Sequence, residues 1–248
     1  LSKSFQNAIV IASTVVNEDW IELFFLLDAL RDAKNVILCV PYIGYSRQDV
    51  QNQNESFGSG LFSRFLETMN VSRCIFLDNH SKPTIRIPYI HLGADEIFKT
   101  DITSKYDASK ITIVSPDIGG AYRANAISKT LKCDFALCNK AKDVFGELKK
   151  IDVVGNVVDK ICIVVDDIID SGATLCYAAE ALLQAGCRGV AAYATHGILS
   201  KGSIEKLAKS SISEVTLTDS IFNNDIISSK IRKLSISSLI AETIRCIL

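Results

Sequence analysis

Short unbroken apolar runs alternate along this chain with longer stretches whose apolar residues recur at helical spacing. Residues 7–12 (Asn-Ala-Ile-Val-Ile-Ala) form the first run and predict a strand. Residues 18–33 follow with Trp20, Leu23, Phe24, Leu27 and Leu30, the stripe of an amphipathic helix. Residues 35–40 predict a buried strand, closed by Pro41, which has no N–H to extend a ladder. A helix is predicted over 60–69 and a strand over 73–77. The pattern then restarts with a strand at 111–114, a turn, and a helix at 121–131. Strands at 161–165, 189–194 and 214–217 follow, with helices at 174–183 and 236–248. Strands that alternate with helices in this way predict an α/β protein with mostly parallel sheets.

One stretch organises the rest. Ile161-Cys162-Ile163-Val164-Val165 is too continuously apolar for a half-exposed strand. Asp166 and Asp167 stand where that strand should end, Asp170-Ser171-Gly172 supplies turn chemistry, and a helix starts near Ala173-Thr174. A small-residue loop that opens a helix presents converging backbone N–H groups suited to a phosphate. The two carboxylates stand where ribose hydroxyls or a hydrated Mg²⁺ could be held. The same residues also describe an ordinary strand-end Asp pair followed by a helix cap, and chemistry alone leaves both readings open. The order strand, helix, strand over 7–40 returns over 161–194, and the earlier copy has Ser13 to Asn17 where the later has the acidic loop. Two similar halves are implied, with only the second keeping the sugar-phosphate signature and a seam near 98–105.

Other strand ends carry candidate chemistry. Tyr42-Ile43-Gly44-Tyr45-Ser46-Arg47-Gln48-Asp49 suits a binding loop at a carboxyl end, where open α/β sheets place ligands. Gly58-Ser59-Gly60 lacks a preceding strand and a third glycine, so it is not a dinucleotide fingerprint. His80, beside Asp78 after the 73–77 run, is a candidate metal or phosphate ligand, against the commoner case of a structural loop histidine; His91 and His196 have less to recommend them. Asp117, before Gly119-Gly120, is a further candidate metal-binding carboxylate. Asn139-Lys140-Ala141-Lys142-Asp143 is a short basic cluster expected to lead into a flexible loop.

Bulk properties remove several classes. The 248 residues are 48% hydrophobic, enough for one large or two small cores, and a net charge of -1 without a long Lys/Arg run argues against a nucleic-acid partner. The eight cysteines never form C-x-x-C, so a structural zinc site is not expected and a reducing compartment is. No run approaches the roughly 20 apolar residues of a membrane span, so a cytoplasmic protein is expected. The apolar run after Lys3 is short and leads into Asn17-Glu18-Asp19, which reads as a first strand rather than a leader; the first residue, Leu1, leaves an upstream segment open.

Taken together, these stretches resemble the ribose-phosphate diphosphokinase (phosphoribosyl pyrophosphate synthetase) family from about Asn7 to the end. The likeness lies in Pro41-Tyr42-Ile43-Gly44-Tyr45-Ser46-Arg47-Gln48-Asp49, Val114-Ser115-Pro116-Asp117-Ile118-Gly119-Gly120, and Val164 through Thr174. Ala192-Tyr193-Ala194-Thr195-His196-Gly197-Ile198 and Ile240-Ala241-Glu242-Thr243-Ile244-Arg245 add to it. The resemblance implies two tandem phosphoribosyltransferase-like (type I) domains, the first over 1–98 with helix 236–248 packing back on it, the second over 99–235. It implies transfer of diphosphate from Mg-ATP to the C1 hydroxyl of ribose 5-phosphate, and a homo-oligomer. By match, Asp166 and Asp167 would hold the ribose and its metal, and Asp170, Ser171, Gly172, Ala173 and Thr174 the 5-phosphate. Arg47 and Gln48 would contact ATP, and His80 and Asp117 would bind the Mg²⁺ of Mg-ATP. Lys140 would stabilise the transition state, helped by Lys142. The sequence departs from the family pattern in Val50 for an Arg, Asn79 within Asp78-Asn79-His80, and Ala173 for a common Gly; no Phe-x-Asp-Gly-Glu-type motif precedes Asn7. The resemblance thus implies an N-terminally short member. The alternatives are a weak or inactive regulatory homologue and a base phosphoribosyltransferase.

Overall fold

The computed structural model describes residues 6–51, 53–142, 148–222 and 228–248, with backbone alone for 140–142 and 148–150. The chain divides into two compact units, Leu1–Gly93 and Ala94–Leu248. Residues 98–105, the expected seam, lie in a helix of the second unit (Asp95–Lys105), and the C-terminal helix is counted with that unit as well.

In the first unit, β1 (Asn7–Ile11), β2 (Asn35–Val40), β3 (Arg73–Leu77) and β4 (Tyr89–Leu92) form a parallel sheet in the order β1-β2-β3-β4. Helices α1 (Asn17–Ala29) and α2 (Gly58–Glu67) carry the crossovers. The expected α1 stripe is the buried one: Trp20, Leu23 and Leu27 pack with Leu38, Leu66 and Phe76. Trp20 stacks on Phe62 of α2 at 4.0 Å. The helix starts at Asn17 because the Asp19 carboxylate accepts hydrogen bonds from the backbone amides of Val15 (2.6 Å) and Val16 (2.9 Å).

The second unit contains α3 (Asp95–Lys105), β5 (Ile111–Ser115), α4 (Ala121–Leu131), β6 (Asp134–Lys142), β7 (Leu148–Gly155), β8 (Ile161–Ile169) and α5 (Ala173–Gln184). It continues with β9 (Gly189–Gly197), α6 (Ser203–Lys209), β10 (Ile212–Thr218), β11 (Ile231–Leu234) and α7 (Ser237–Ile247). The sheet order is β11-β10-β9-β8-β5-β6-β7, parallel except for the β6–β7 pair. The expected α/β class with mostly parallel sheets therefore holds. Strand β8 lies mid-sheet between β5 and β9, and alternate residues feed two different cores. Cys162 and Val164 face α5 with Ala192 and Ala194, whereas Ile163 and Val165 face α4 with Ile113 and Tyr193.

Two expectations about the candidate site are corrected. Strand β8 runs on to Ile169, so Asp166 and Asp167 are within it rather than beyond its end. The backbone ladder does not require apolar side chains, and β9 stays paired as far as Gly197 opposite Ile169. Lys140 and Lys142 stand on β6, paired with Ile151 and Leu148 of β7, and not in a loop; residues 143–147 lie outside the described residues.

A polar network closes the open edge of this sheet. Arg232 of β11 pairs with Asp101 of α3 and its Nε lies 2.9 Å from Glu214 of β10; Tyr193 donates to Asp101 at 2.6 Å and Lys105 lies 2.6 Å from Glu214. Burial alone would raise both carboxyls, but hydrogen bonds from Arg232 with Tyr193 or Lys105 outweigh it and hold them below their ordinary values of 3.8 and 4.5. Removing one partner of such a partly buried cluster leaves charge uncompensated. Arg232→Met should lower the unfolding free energy at pH 7 by about 1–3 kcal/mol. The stabilisation from carboxyls with depressed values exists above the ordinary carboxylate range and fades as pH falls through their folded values. Denaturant titrations of both proteins should therefore differ less at acid pH than at neutrality.

Candidate active site

Each unit brings part of the expected chemistry to the carboxyl ends of its parallel strands, the edge where open α/β sheets take ligands. In the first unit the segment after β2 is tied to the end of β1. The Gly44 amide donates to Thr14 Oγ1 (2.9 Å), and a Cβ at Gly44 would meet the Thr14 carbonyl oxygen at 2.4 Å, so only glycine fits. Tyr45 takes a left-handed conformation (φ 62°), and the Ser59 amide of α2 donates to the Gln48 carbonyl at 3.2 Å. Arg47 and Gln48 are thereby exposed beside a cavity of about 400 Å³, lined also by Asp49, Val50, Glu55 and Ser56. Just past the neighbouring strand β3, Asp78 is buried with φ 40° and its amide donates to the Leu92 carbonyl at 2.9 Å. His80 follows, exposed, in a turn held by His91, whose Nε2 accepts from the Asn79 amide at 3.1 Å. Nothing in the sequence marked His91 for this task, because the contact spans β3 to β4 and the four-residue β4 leaves little pattern.

In the second unit the acidic pair lies side by side within β8. Asp167 is 6% exposed and directed to α4, where Arg123 Nη1 lies 3.6 Å from its Oδ1. The Asp166 carboxyl is within hydrogen-bonding reach of that of Asp167. Each carboxylate also accepts a hydrogen bond at 2.9 Å from the amide of the next residue: Asp166 from Asp167, and Asp167 from Ile168. Burial, followed by the neighbouring Asp167 and Asp117 carboxylates, raises the Asp166 carboxyl above the usual carboxylate range. Asp117 therefore belongs electrostatically with the pair. Its own turn is braced by Ser115, whose hydroxyl donates to the Asp117 carbonyl (2.6 Å), and by the Gly120 amide, which donates to Asp117 Oδ1 (3.1 Å). Arg123 is a site residue that the sequence reading missed; a basic residue in the first turn after Gly119-Gly120 was the available signal.

Beyond β8, Asp170 and Ser171 lead to Gly172, whose left-handed backbone (φ 71°) turns the chain into α5. Ser171 Oγ accepts from the Ala173 amide at 3.4 Å, and the Cys176 amide closes the first turn on the Gly172 carbonyl at 3.1 Å. Asp170, Ser171, Ala173 and Thr174 surround this helix start, whose dipole and orphan amides favour an anion.

Among the described residues, no three His, Cys, Asp or Glu side chains converge tightly enough to hold a metal ion. Mg²⁺ is usually bound through one or two carboxylates plus substrate phosphates rather than by an all-protein cage. The crowded carboxylates Asp117, Asp166 and Asp167 supply hard oxygen donors of the right kind.

A mid-sheet strand that carries paired carboxylates near its end and feeds a glycine-turned helix start is consistent with the phosphoribosyltransferase-like class of fold. The comparisons then narrow that class. Residues 5–69 match the N-terminal domain of ribose phosphate pyrophosphokinase, and residues 107–248 the phosphoribosyl synthetase-associated domain. A ribose-phosphate pyrophosphokinase of Agrobacterium fabrum is 38% identical over 96% of this chain and 80% of its own. One from Granulibacter bethesdensis is 36% identical over 97% and 81%. The crystal structure of phosphoribosylpyrophosphate synthetase from Mycobacterium smegmatis superposes with a TM-score of 0.91 at 29% identity, covering 100% of this chain and 84% of that one. The chain belongs to the ribose-phosphate pyrophosphokinase family, with its type I phosphoribosyltransferase-like fold.

The turn at Gly172 yields a direct check. A Cβ there would sit 3.1 Å from Leu207 Cδ2 in a conformation that L-residues disfavour. Gly172→Ala should destabilise the protein by about 1 kcal/mol, read as a lowered Tm by calorimetry.

Proposed function

We propose that this chain transfers diphosphate from Mg-ATP to the C1 hydroxyl of ribose 5-phosphate, giving phosphoribosyl diphosphate and AMP. The observation that carries this reading is the placement of Asp166, Asp167 and the 170–174 helix start on one strand-to-helix connection. In the reaction the C1 oxygen attacks the β-phosphorus of ATP, the bond from that phosphorus to the α–β bridging oxygen breaks, AMP departs, and the hydroxyl proton is released. No covalent nucleophile is required, so catalysis rests on alignment and on countering charge.

The residues divide this work. Asp166 and Asp167 receive the ribose hydroxyls, and Asp170, Ser171, Gly172, Ala173 and Thr174 hold the 5-phosphate through the loop and the α5 N-terminus. Arg123, beside Asp167, fixes that carboxylate and tempers the negative charge of the pocket. Arg47 and Gln48 bind ATP. Lys140, with Lys142, supplies positive charge to the equatorial oxygens of the transferring group. Asp117 and His80 would be Mg²⁺ ligands, as the resemblance implies. Bound Mg²⁺ supplies charge neutralisation on the ATP phosphates. We further propose a cytoplasmic homo-oligomer; among the described residues no helix is long and apolar enough to cross a membrane.

Incubation with ATP, ribose 5-phosphate and Mg²⁺ should release AMP in step with phosphoribosyl diphosphate. A folded protein that releases no AMP would refute the reading, and consumption of phosphoribosyl diphosphate on addition of a nucleobase would replace it with base transfer. Lys140→Ala should lower kcat by roughly 10²–10³-fold, the usual loss of one group aimed at transition-state charge. Asp167→Asn should raise the KM for ribose 5-phosphate by about tenfold or more, as expected for hydrogen bonds to a charged group, and leave the KM for ATP almost unchanged. Equal increases for both substrates would contradict this division of the site.

A further inference from the structure

The Ala192 to Ile198 stretch contains a histidine to which the proposed reaction gives no task. His196 is 2% exposed near the end of β9, in register with Ile168 of β8. The side-chain parity of β9 runs through Val190, Ala192 and Ala194, all part of the apolar α5-side core, and His196 interrupts it with an imidazole. Its Nδ1 lies 2.9 Å from Ser220 Oγ, and Ser220 is 3% exposed just past β10. The Ser220 hydroxyl donates to the Thr195 carbonyl (3.0 Å), which also accepts from Thr218 Oγ1 (2.6 Å), and the Ser220 amide donates to Thr218 Oγ1 (3.2 Å). A serine hydroxyl has a single hydrogen. With that hydrogen on Thr195, the imidazole donates from Nδ1.

Hydrophobic side chains of similar volume could replace these three polar side chains at little or no cost in stability. What this cluster does is tie the end of β10 to the end of β9. The end of β9 in turn grips the phosphate loop, because the amides of Ile198 (2.9 Å) and Leu199 (3.2 Å) both donate to the Ile169 carbonyl, one residue before Asp170. Leu199 makes its contact from a left-handed conformation (φ 52°), which the surrounding structure must hold in place.

We propose that His196, fixed by Ser220, is a positioning residue for the ribose-phosphate loop. It sets the carboxyl ends of β9 and β10 so that Ile169 presents Asp170 and the α5 start at the spacing of a sugar phosphate. The inference rests on the diphosphokinase reading for the identity of the ligand, and its test does not depend on turnover.

The test compares His196→Asn, which keeps an N–H donor near the Nδ1 position, with His196→Phe, which keeps the ring and removes the donor, and with Ser220→Ala, which removes one oxygen. Calorimetric titration with ribose 5-phosphate, without ATP, should show Kd increased by about tenfold or more in His196→Phe and Ser220→Ala, and close to wild type in His196→Asn. In turnover, the increase should fall on the KM for ribose 5-phosphate and not on that for ATP. If His196→Asn binds as poorly as His196→Phe, or Ser220→Ala binds as wild type, the positioning role is overturned. Wild-type protein that binds the sugar phosphate but releases no AMP would refute the diphosphotransfer reading alone.

Discussion

The parallel pairing of β8 between β5 and β9 is the constraint on which this molecule depends. A strand buried on both faces can carry only apolar side chains through the sheet interior, so Ile161 to Val165 are committed to the two cores. Charge can enter only where the sheet runs out of cover. Asp166 and Asp167 occupy that margin, still within the strand and close enough for their carboxyls to contact one another. The rigidity of a central strand is thereby passed to two carboxylates that would be mobile on a free loop.

Asp166, Asp167 and Asp117 crowd together, and Arg123 lies 3.6 Å from Asp167. A few residues on, the start of α5 presents a positive helix end to the same edge. Acidic groups beside an anion-binding helix start suit a ligand that bears hydroxyls at one end and phosphate at the other. The first unit repeats the architecture of parallel strands, but carries Arg47, Gln48 and His80 beyond its strand ends instead of an acidic pair.

Much of this was legible in the sequence because the central strands are continuous apolar runs and their helices have clear stripes. The phosphate loop was legible because Asp170-Ser171-Gly172 combines turn chemistry with a strand before it and a helix after it. What escaped notice lies in short or polar elements. The strands β4 and β11 have four residues each, and β7 (Leu-Lys-Lys-Ile-Asp-Val-Val-Gly) is too polar at its start to read as a strand. Its antiparallel pairing with β6 placed Lys140 and Lys142 on a hairpin where a loop was expected. The tasks of His91 and His196 were hidden for another reason. Their partners, Asn79 and Ser220, are 12 and 24 residues away in sequence, and only the sheet brings them together.

The central claim is that the β8–α5 connection is where the sugar phosphate sits. Backbone hydrogen exchange, followed with and without ribose 5-phosphate, addresses that claim most directly. The account predicts slowed exchange at the amides of residues 170–176, with smaller protection at 197–199 where β9 grips the loop. Unchanged exchange at 170–176 in a protein that binds ribose 5-phosphate elsewhere would contradict it.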